Sequence, residues 1–155
     1  MERYTEKEEI GKGAFGTVYI ATDKVTGELH ALKELNTEAK KILPELGALM
    51  KVKPHPGVVK FKGMFITDEG STMLTMEYCS GGNLDTFWQR EKPNLEIKHS
   101  FMKEISEALN HLHQNGIVHR DIKPENILVA PDEHGGNHPK LADFGQAKWL
   151  TVKQI

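Results

Sequence analysis

The hydrophobic pattern changes period once along this chain, at Ser80-Gly81-Gly82. Before that break, runs rich in β-branched and aromatic residues read as strands: Thr17 to Thr22, Glu28 to Leu35, Val58 to Ile66 and Thr72 to Tyr78. Thr26-Gly27 and Asp68-Glu69-Gly70-Ser71 are the turns between them. Glu38 to Val52 is helical in pattern, but proline is tolerated only in a first turn, so Pro44 makes this helix short and starts it near Leu43. After the break, Ile97, Phe101, Met102, Ile105, Ala108, Leu109 and Leu112 recur at helical spacing, and Asn115-Gly116 supplies a left-handed stop. Ile127 to Val129 and Lys140 to Ala142 then read as short β pieces around the polar turn Pro131 to Pro139. The expected fold class is α+β: a β-rich lobe with one short helix, a glycine hinge and a helical lobe.

Composition limits the function classes. Apolar residues make up 38% of the 155 positions and the 14 glycines add about 9%, a total in the ordinary globular range. A net charge of −2 gives no bulk attraction to nucleic acid or anionic membrane, so neither is an expected partner. The single cysteine, Cys79, excludes an intramolecular disulfide, fits a reducing compartment, and reads as a small half-buried hydrophobe. No apolar run approaches the roughly 18 residues that span a bilayer, and Met1 to Glu9 is too charged for a signal peptide. A soluble intracellular protein, cytoplasmic or nuclear, is expected.

Gly11-Lys-Gly13-Ala-Phe-Gly16-Thr-Val18 fits G-x-G-x-x-G-x-V. A dinucleotide-binding unit would follow this motif with a helix and place an acidic residue about 20 positions later. Here a strand follows, and the residue in the acidic position is Lys33. A β-hairpin whose glycines let backbone N–H groups approach phosphates suits the sequence better. Downstream of the long helix stands His119-Arg120-Asp121-Ile122-Lys123-Pro124-Glu125-Asn126, and then Asp143-Phe144-Gly145.

Together these segments resemble a eukaryotic-type serine/threonine protein kinase, from about Tyr4 to about Leu150, with lobes at about 4–78 and 79–155. Ala31-Leu32-Lys33 resembles the end of V-A-I-K, with His30 in place of the valine. The resemblance implies ATP and Mg²⁺ as cofactors and a protein hydroxyl as acceptor. It gives Lys33 the α- and β-phosphates, over the glycine loop of Gly11, Gly13 and Gly16, and pairs Lys33 with Glu45, with Glu38 as competitor. The helix carrying Glu45 is shortened relative to the family. By the same resemblance Asp121 accepts the substrate hydroxyl proton, Lys123 balances charge on the transferring phosphate, and Asn126 and Asp143 hold the metal.

Met76-Glu77-Tyr78-Cys79 resembles the hinge that meets adenine, with Val18, Ala31 and Leu128 as apolar contacts to the base. Leu49, Phe61, His119 and Phe144 match the stack that ties active kinase lobes together; His119 is structural in this reading. Asn126 and Asp143 stand further apart than in the family, and the excess falls in the turn Pro131 to Pro139. A metal role for His134 and His138 in that turn is set aside, since no Cys or acidic partner stands at ligand spacing.

The chain ends soon after Asp143, without an A-P-E motif or later helices. The expectation is therefore an incomplete kinase domain ending after D-F-G. The helix face carrying Phe101 and Leu109 should be partly uncovered, at about 25 cal/mol per Å² of apolar surface, and a partner protein could cover it. Arg120, which meets an activation-loop phosphate in the family, has no visible partner. Lys92-Pro-Asn and Ser100-Phe-Met resemble a group of nuclear and actin-associated kinases that interact with PDZ-LIM proteins. The alternative function is a truncated nucleotide-binding module, a pseudokinase-like regulator without phosphotransfer.

Overall fold

The computed structural model describes residues 3–5, 7–13, 16–36, 41, 43–51 and 53–150, with backbone alone at 44, 45, 48 and 49. The chain divides into two compact units, Met1–Leu43 with Lys60–Tyr78, and Pro44–Val59 with Cys79–Ile155.

The first unit is an antiparallel five-stranded sheet in the order β1-β2-β3-β5-β4. Its strands are β1 (Glu8–Gly13), β2 (Gly16–Thr22), β3 (Leu29–Leu35), β4 (Phe61–Ile66) and β5 (Thr72–Glu77). Alternation along these strands sends Tyr19, Ala21, Leu32, Phe65 and Met73 to one face. Leu32 and Met73 are fully buried there under Tyr4, whose ring stacks on Phe65 at 5.6 Å. Tyr4 belongs to a strap, Arg3 to Thr5, laid along the end of β2: Thr5 donates its N–H to Thr22 O and Lys24 donates to Arg3 O. His30 is buried beneath the strap, with its Nδ1 3.3 Å from the Tyr4 hydroxyl. A histidine at the family's valine position thus has a polar partner that valine would leave unpaired.

Asp23 anchors the strap. Its fully buried carboxylate accepts from Arg3 Nε and Nη2 at 3.1 and 2.7 Å and from Val25 N–H at 2.9 Å. The Arg3 bonds, helped by the backbone bond, hold its pKa down to about 2. A carboxyl with a depressed folded pKa adds stability that is present above its unfolded value, about 3.9, and is lost as pH falls toward about 2. Asp23→Asn is expected to lower the melting temperature near neutrality and to flatten its fall on acidification in that window. An acid limb unchanged by the substitution would remove this account.

The second unit is built on three helices, α1 (Leu43–Lys51), α2 (Leu84–Glu91) and α3 (Leu95–Gln114). Asn83 and Asn94 cap α2 and α3, their side-chain oxygens accepting from Thr86 and Ile97 N–H. Gly116, at φ +75°, stops α3 as the sequence predicts. Phe101, Ile105, Ala108 and Leu112 form the buried stripe of α3. Ile97 and Met102, expected in that stripe, are 43% and 52% exposed. Phe101, by contrast, is covered: it stacks on Phe87 of α2 at 5.7 Å. The sequence pattern after Gly82 reads as a single helix, whereas the structure has two, and the first supplies this cover.

Two small ladders complete the unit. β6 (Ile117–Val118) pairs with β9 (Lys148–Trp149), and β7 (Ile127–Pro131) with β8 (Asn137–Leu141). The second is a hairpin that absorbs the turn from Pro131. Beside β8, Val59 donates to Leu141 O and Leu141 donates to Gly57 O. A Cβ on Gly57 would stand 2.8 Å from that of Ala108, so glycine permits this close approach to α3.

Candidate active site

In the sheet unit, register gathers one set of predicted residues on one face. Val18 stands opposite Lys33, Ile20 opposite Ala31, Ala31 opposite Met76, and Lys33 opposite Leu74. Directly opposed residues of antiparallel strands share a face, so Lys33 stands as a cation among Val18, Ile20, Ala31, Leu74 and Met76. Beside it runs the β1–β2 hairpin, with Gly11 opposite Val18 and Gly13 opposite Gly16. Gly16 adopts φ +139°, and a Cβ there would overlap the Glu34 carbonyl. Glycine is demanded at this position by the chain itself. At Gly11 and Gly13, among the described residues, nothing lies within 4 Å of where a Cβ would stand. Glu77 ends β5; its N–H donates to Lys60 O, and its carboxylate accepts from Lys60 N–H at 2.8 Å. Glu45 lies in the first turn of α1. Its side chain, that of Leu49, and the whole of Glu38 lie outside the described residues, so the predicted lysine–glutamate pair does too.

In the second unit, the loop from His119 to Asn126 closes on itself. Asn126 Nδ2 donates to Asp121 Oδ2 at 2.8 Å and to the Asp121 carbonyl at 2.9 Å. Lys123 Nζ stands 3.4 Å from Asp121 Oδ1. Both amide protons of buried Asn126 are thereby used on Asp121, which leaves its amide oxygen as the group able to meet a cation. His119 is fully buried, and its Nδ1 accepts from the Asp121 N–H at 3.2 Å. Nε2 therefore carries the proton and donates to Ala142 O at 2.6 Å. The ring also packs on Phe144 at 4.8 Å. His119 thus ties the loop to the segment entering Asp143, as its structural reading requires.

Two residues of this site hold left-handed backbone without being glycine: Arg120 at φ +66° and Asp143 at φ +51°. Such conformations persist where surrounding bonds enforce them. For Arg120 the bond is Nε donating to Gln146 O at 2.6 Å. The expectation that Arg120 lacks a visible partner is corrected. A backbone carbonyl leaves no signature in sequence, so no motif pointed to it. Asp143 accepts from Gly145 N–H through Oδ1 at 3.4 Å. Leu128 lies half-buried on β7 opposite Lys140. Cys79 is buried rather than half-buried, and forms no disulfide. Gly81, part of the glycine break read in the sequence, donates its N–H to Val129 O at 2.8 Å, and a Cβ there would stand 2.6 Å from the same oxygen.

The donor set is one of hard oxygens, the Asp143 carboxylate and the Asn126 amide. That fits Mg²⁺, which takes few protein ligands and completes its shell with phosphate and water. Among the described residues, no group of three or more His, Cys, Asp or Glu is placed to hold a metal. His138 departs from expectation in another way: it has two acidic partners, Glu104 and Asp132, on opposite ring nitrogens.

A glycine hairpin and strand lysine on a five-stranded sheet, with an H-R-D loop and D-F-G in a helical unit, define the protein kinase catalytic architecture. The family described as protein kinase domain matches residues 4–154, and the chain belongs to that family. It is 38% identical, over 90% of its length and 45% of the relative's, to a Dictyostelium discoideum protein named a probable myosin light chain kinase. It is 36% identical to MAP kinase kinase kinase SSK2 of Saccharomyces cerevisiae, over 96% of this chain and 10% of that one. It is likewise 36% identical to serine/threonine-protein kinase TAO3 of Xenopus laevis, over 93% of this chain and 16% of that one. The chain spans less than half the length of these relatives. They fall in several serine/threonine branches at similar identity, so they bear on the family and not on the likeness to PDZ-LIM-interacting kinases. No described helix is long and apolar enough to cross a membrane.

Proposed function

We propose that this chain carries the machinery by which a serine/threonine kinase transfers the γ-phosphate of ATP, with Mg²⁺, to a protein hydroxyl. The observation that carries this reading is the closed loop at Asp121. Lys123 and Asn126 hold the carboxylate from two sides, and Asn126 keeps an oxygen for a cation. In the step itself, the acceptor oxygen forms a bond to the γ-phosphorus while the bond to the bridging oxygen breaks and ADP leaves with its electron pair. Asp121 takes the acceptor proton, and Lys123 offsets charge on the moving phosphoryl group. Mg²⁺, when bound, neutralises phosphate charge; Asp143 and Asn126 would hold it. Lys33 would meet the α- and β-phosphates, and the lack of a Cβ at Gly11 and Gly13 lets backbone N–H groups approach them. The unbridged Cys79 fits a reducing intracellular setting, cytoplasmic or nuclear.

The test is a melting experiment with MgATP. The nucleotide complex is expected to raise the melting temperature of the wild-type chain and to leave Lys33→Met and Asp143→Asn nearly unmoved. Asn tolerates the left-handed φ of +51° as Asp does, so Asp143→Asn removes charge without straining the backbone. Equal shifts in all three proteins would refute the nucleotide-site assignment.

A further inference from the structure

The hairpin formed by β7 and β8 has Asn126 immediately before its first strand and Asp143 two residues after its second. Near its turn, the His138 side chain of β8 reaches α3. His138 Nδ1 lies 2.8 Å from Glu104 Oε2 of α3, and its Nε2 lies 2.9 Å from Asp132 Oδ2 of the turn. Carboxylate oxygens only accept hydrogen bonds, so both contacts form only when both ring nitrogens carry protons. With both carboxylates ionised, this geometry calls for an imidazolium. A neutral ring would turn one lone pair toward a carboxylate and lose that bond.

Both carboxylates are oriented beforehand. Asp132 accepts the N–H groups of His134 and Gly136 through its other oxygen, at 2.7 and 2.9 Å. Glu104 accepts from Ser100 Oγ at 3.3 Å. Other charges near the ring are few: Ala130 of β7 faces His138 across the ladder, and Lys140 lies two residues further along β8. On α3, Lys103 pairs with Glu107. Glu133 and His134 complete the ionisable groups of the turn.

We propose that Glu104, His138 and Asp132 form a proton-dependent clamp that fastens the hairpin bearing Asn126 and Asp143 to α3, closed when His138 carries both protons and loosened when it loses one. His138 is a positioning residue in this account and touches no reacting group. The direction of titration agrees: the hydrogen bond from Glu104, then that from Asp132, raises the His138 pKa above the ordinary imidazole value. A group with a raised folded pKa adds stability that is fully present below its unfolded pKa and lost as pH rises through the folded one. The clamp is therefore shut on the acid side of neutrality and opens as pH rises. With the His138 side chain 44% exposed, salt should weaken it.

The inference is independent of nucleotide binding and is tested without it. Ring-nitrogen NMR of the labelled chain should show His138 titrating above the ordinary imidazole value, about 6.5, with both ring nitrogens protonated below the midpoint. Glu104→Gln should lower that midpoint, and Asp132→Asn should lower it less, while keeping an oxygen for the His134 and Gly136 N–H groups. Amide-exchange protection of the hairpin from Ala130 to His138 should fall as pH passes the His138 midpoint, and should lose this pH dependence in His138→Gln. A His138 midpoint at or below the ordinary imidazole value, a midpoint unmoved by Glu104→Gln, or hairpin protection indifferent to pH in the wild type would each overturn the clamp.

Discussion

Asp121→Asn is expected to cut phosphotransfer by about 10²–10⁴-fold, the range that a positioned general base contributes, while leaving MgATP binding largely intact. The substitution keeps an oxygen where Asn126 Nδ2 donates at 2.8 Å, so the loop retains its closing bond. It removes the charge facing Lys123 and the site that takes the acceptor proton. The readout pairs incorporation of labelled γ-phosphate into a serine-containing protein with the MgATP-induced shift in melting temperature. Lost transfer with a preserved shift places Asp121 in the chemical step. A variant as active as wild type would remove Asp121 from it. A wild-type chain that binds MgATP but transfers nothing, even at high enzyme concentration, would favour the nucleotide-binding module over the enzyme.

Gly16→Ala should be the most damaging single methyl in the sheet unit. The residue holds φ +139°, and its added Cβ would overlap the carbonyl of Glu34 on the neighbouring strand. Either the backbone leaves that conformation or β2 parts from β3 at the Gly16–Leu35 pair. Left-handed strain and overpacking each cost about 1–3 kcal/mol, so a loss of about 2–6 kcal/mol is expected in chemical unfolding. Gly11→Ala and Gly13→Ala serve as controls. Among the described residues nothing lies within 4 Å of either added Cβ, so they should leave stability within about 1 kcal/mol while weakening MgATP binding. If Gly16→Ala were as stable as these two, the close approach to Glu34 would not describe the protein.

Reading the sequence located most elements because their signals are local. The short helix starts at Leu43 because Pro44 can occupy only a first turn, and α3 stops at Gly116 because glycine accepts positive φ. The division of the second half was less legible. α2 is only eight residues long, and its cap, Asn83, is followed by no capping-box partner that would have announced it. The face carrying Phe101 is expected to be partly uncovered for want of later helices, yet Phe87 of α2 covers Phe101. The motifs named the site residues by type and spacing. They could not reveal that the Arg120 partner is the Gln146 carbonyl, since every residue has one.

The sequence by itself determined the family, the alternation of strands and helices, and the residue types at each chemical position, because periodicity, turn residues and short motifs are properties of neighbours along the chain. Only the tertiary structure decided which groups meet. It set the tautomer of His119 through the Asp121 N–H and the Ala142 carbonyl, and it spent both Asn126 amide protons on Asp121. It also brought Glu104 to His138 across 34 residues. Such contacts depend on direction and distance between elements far apart in sequence, and a hydrogen bond exists only where both are satisfied.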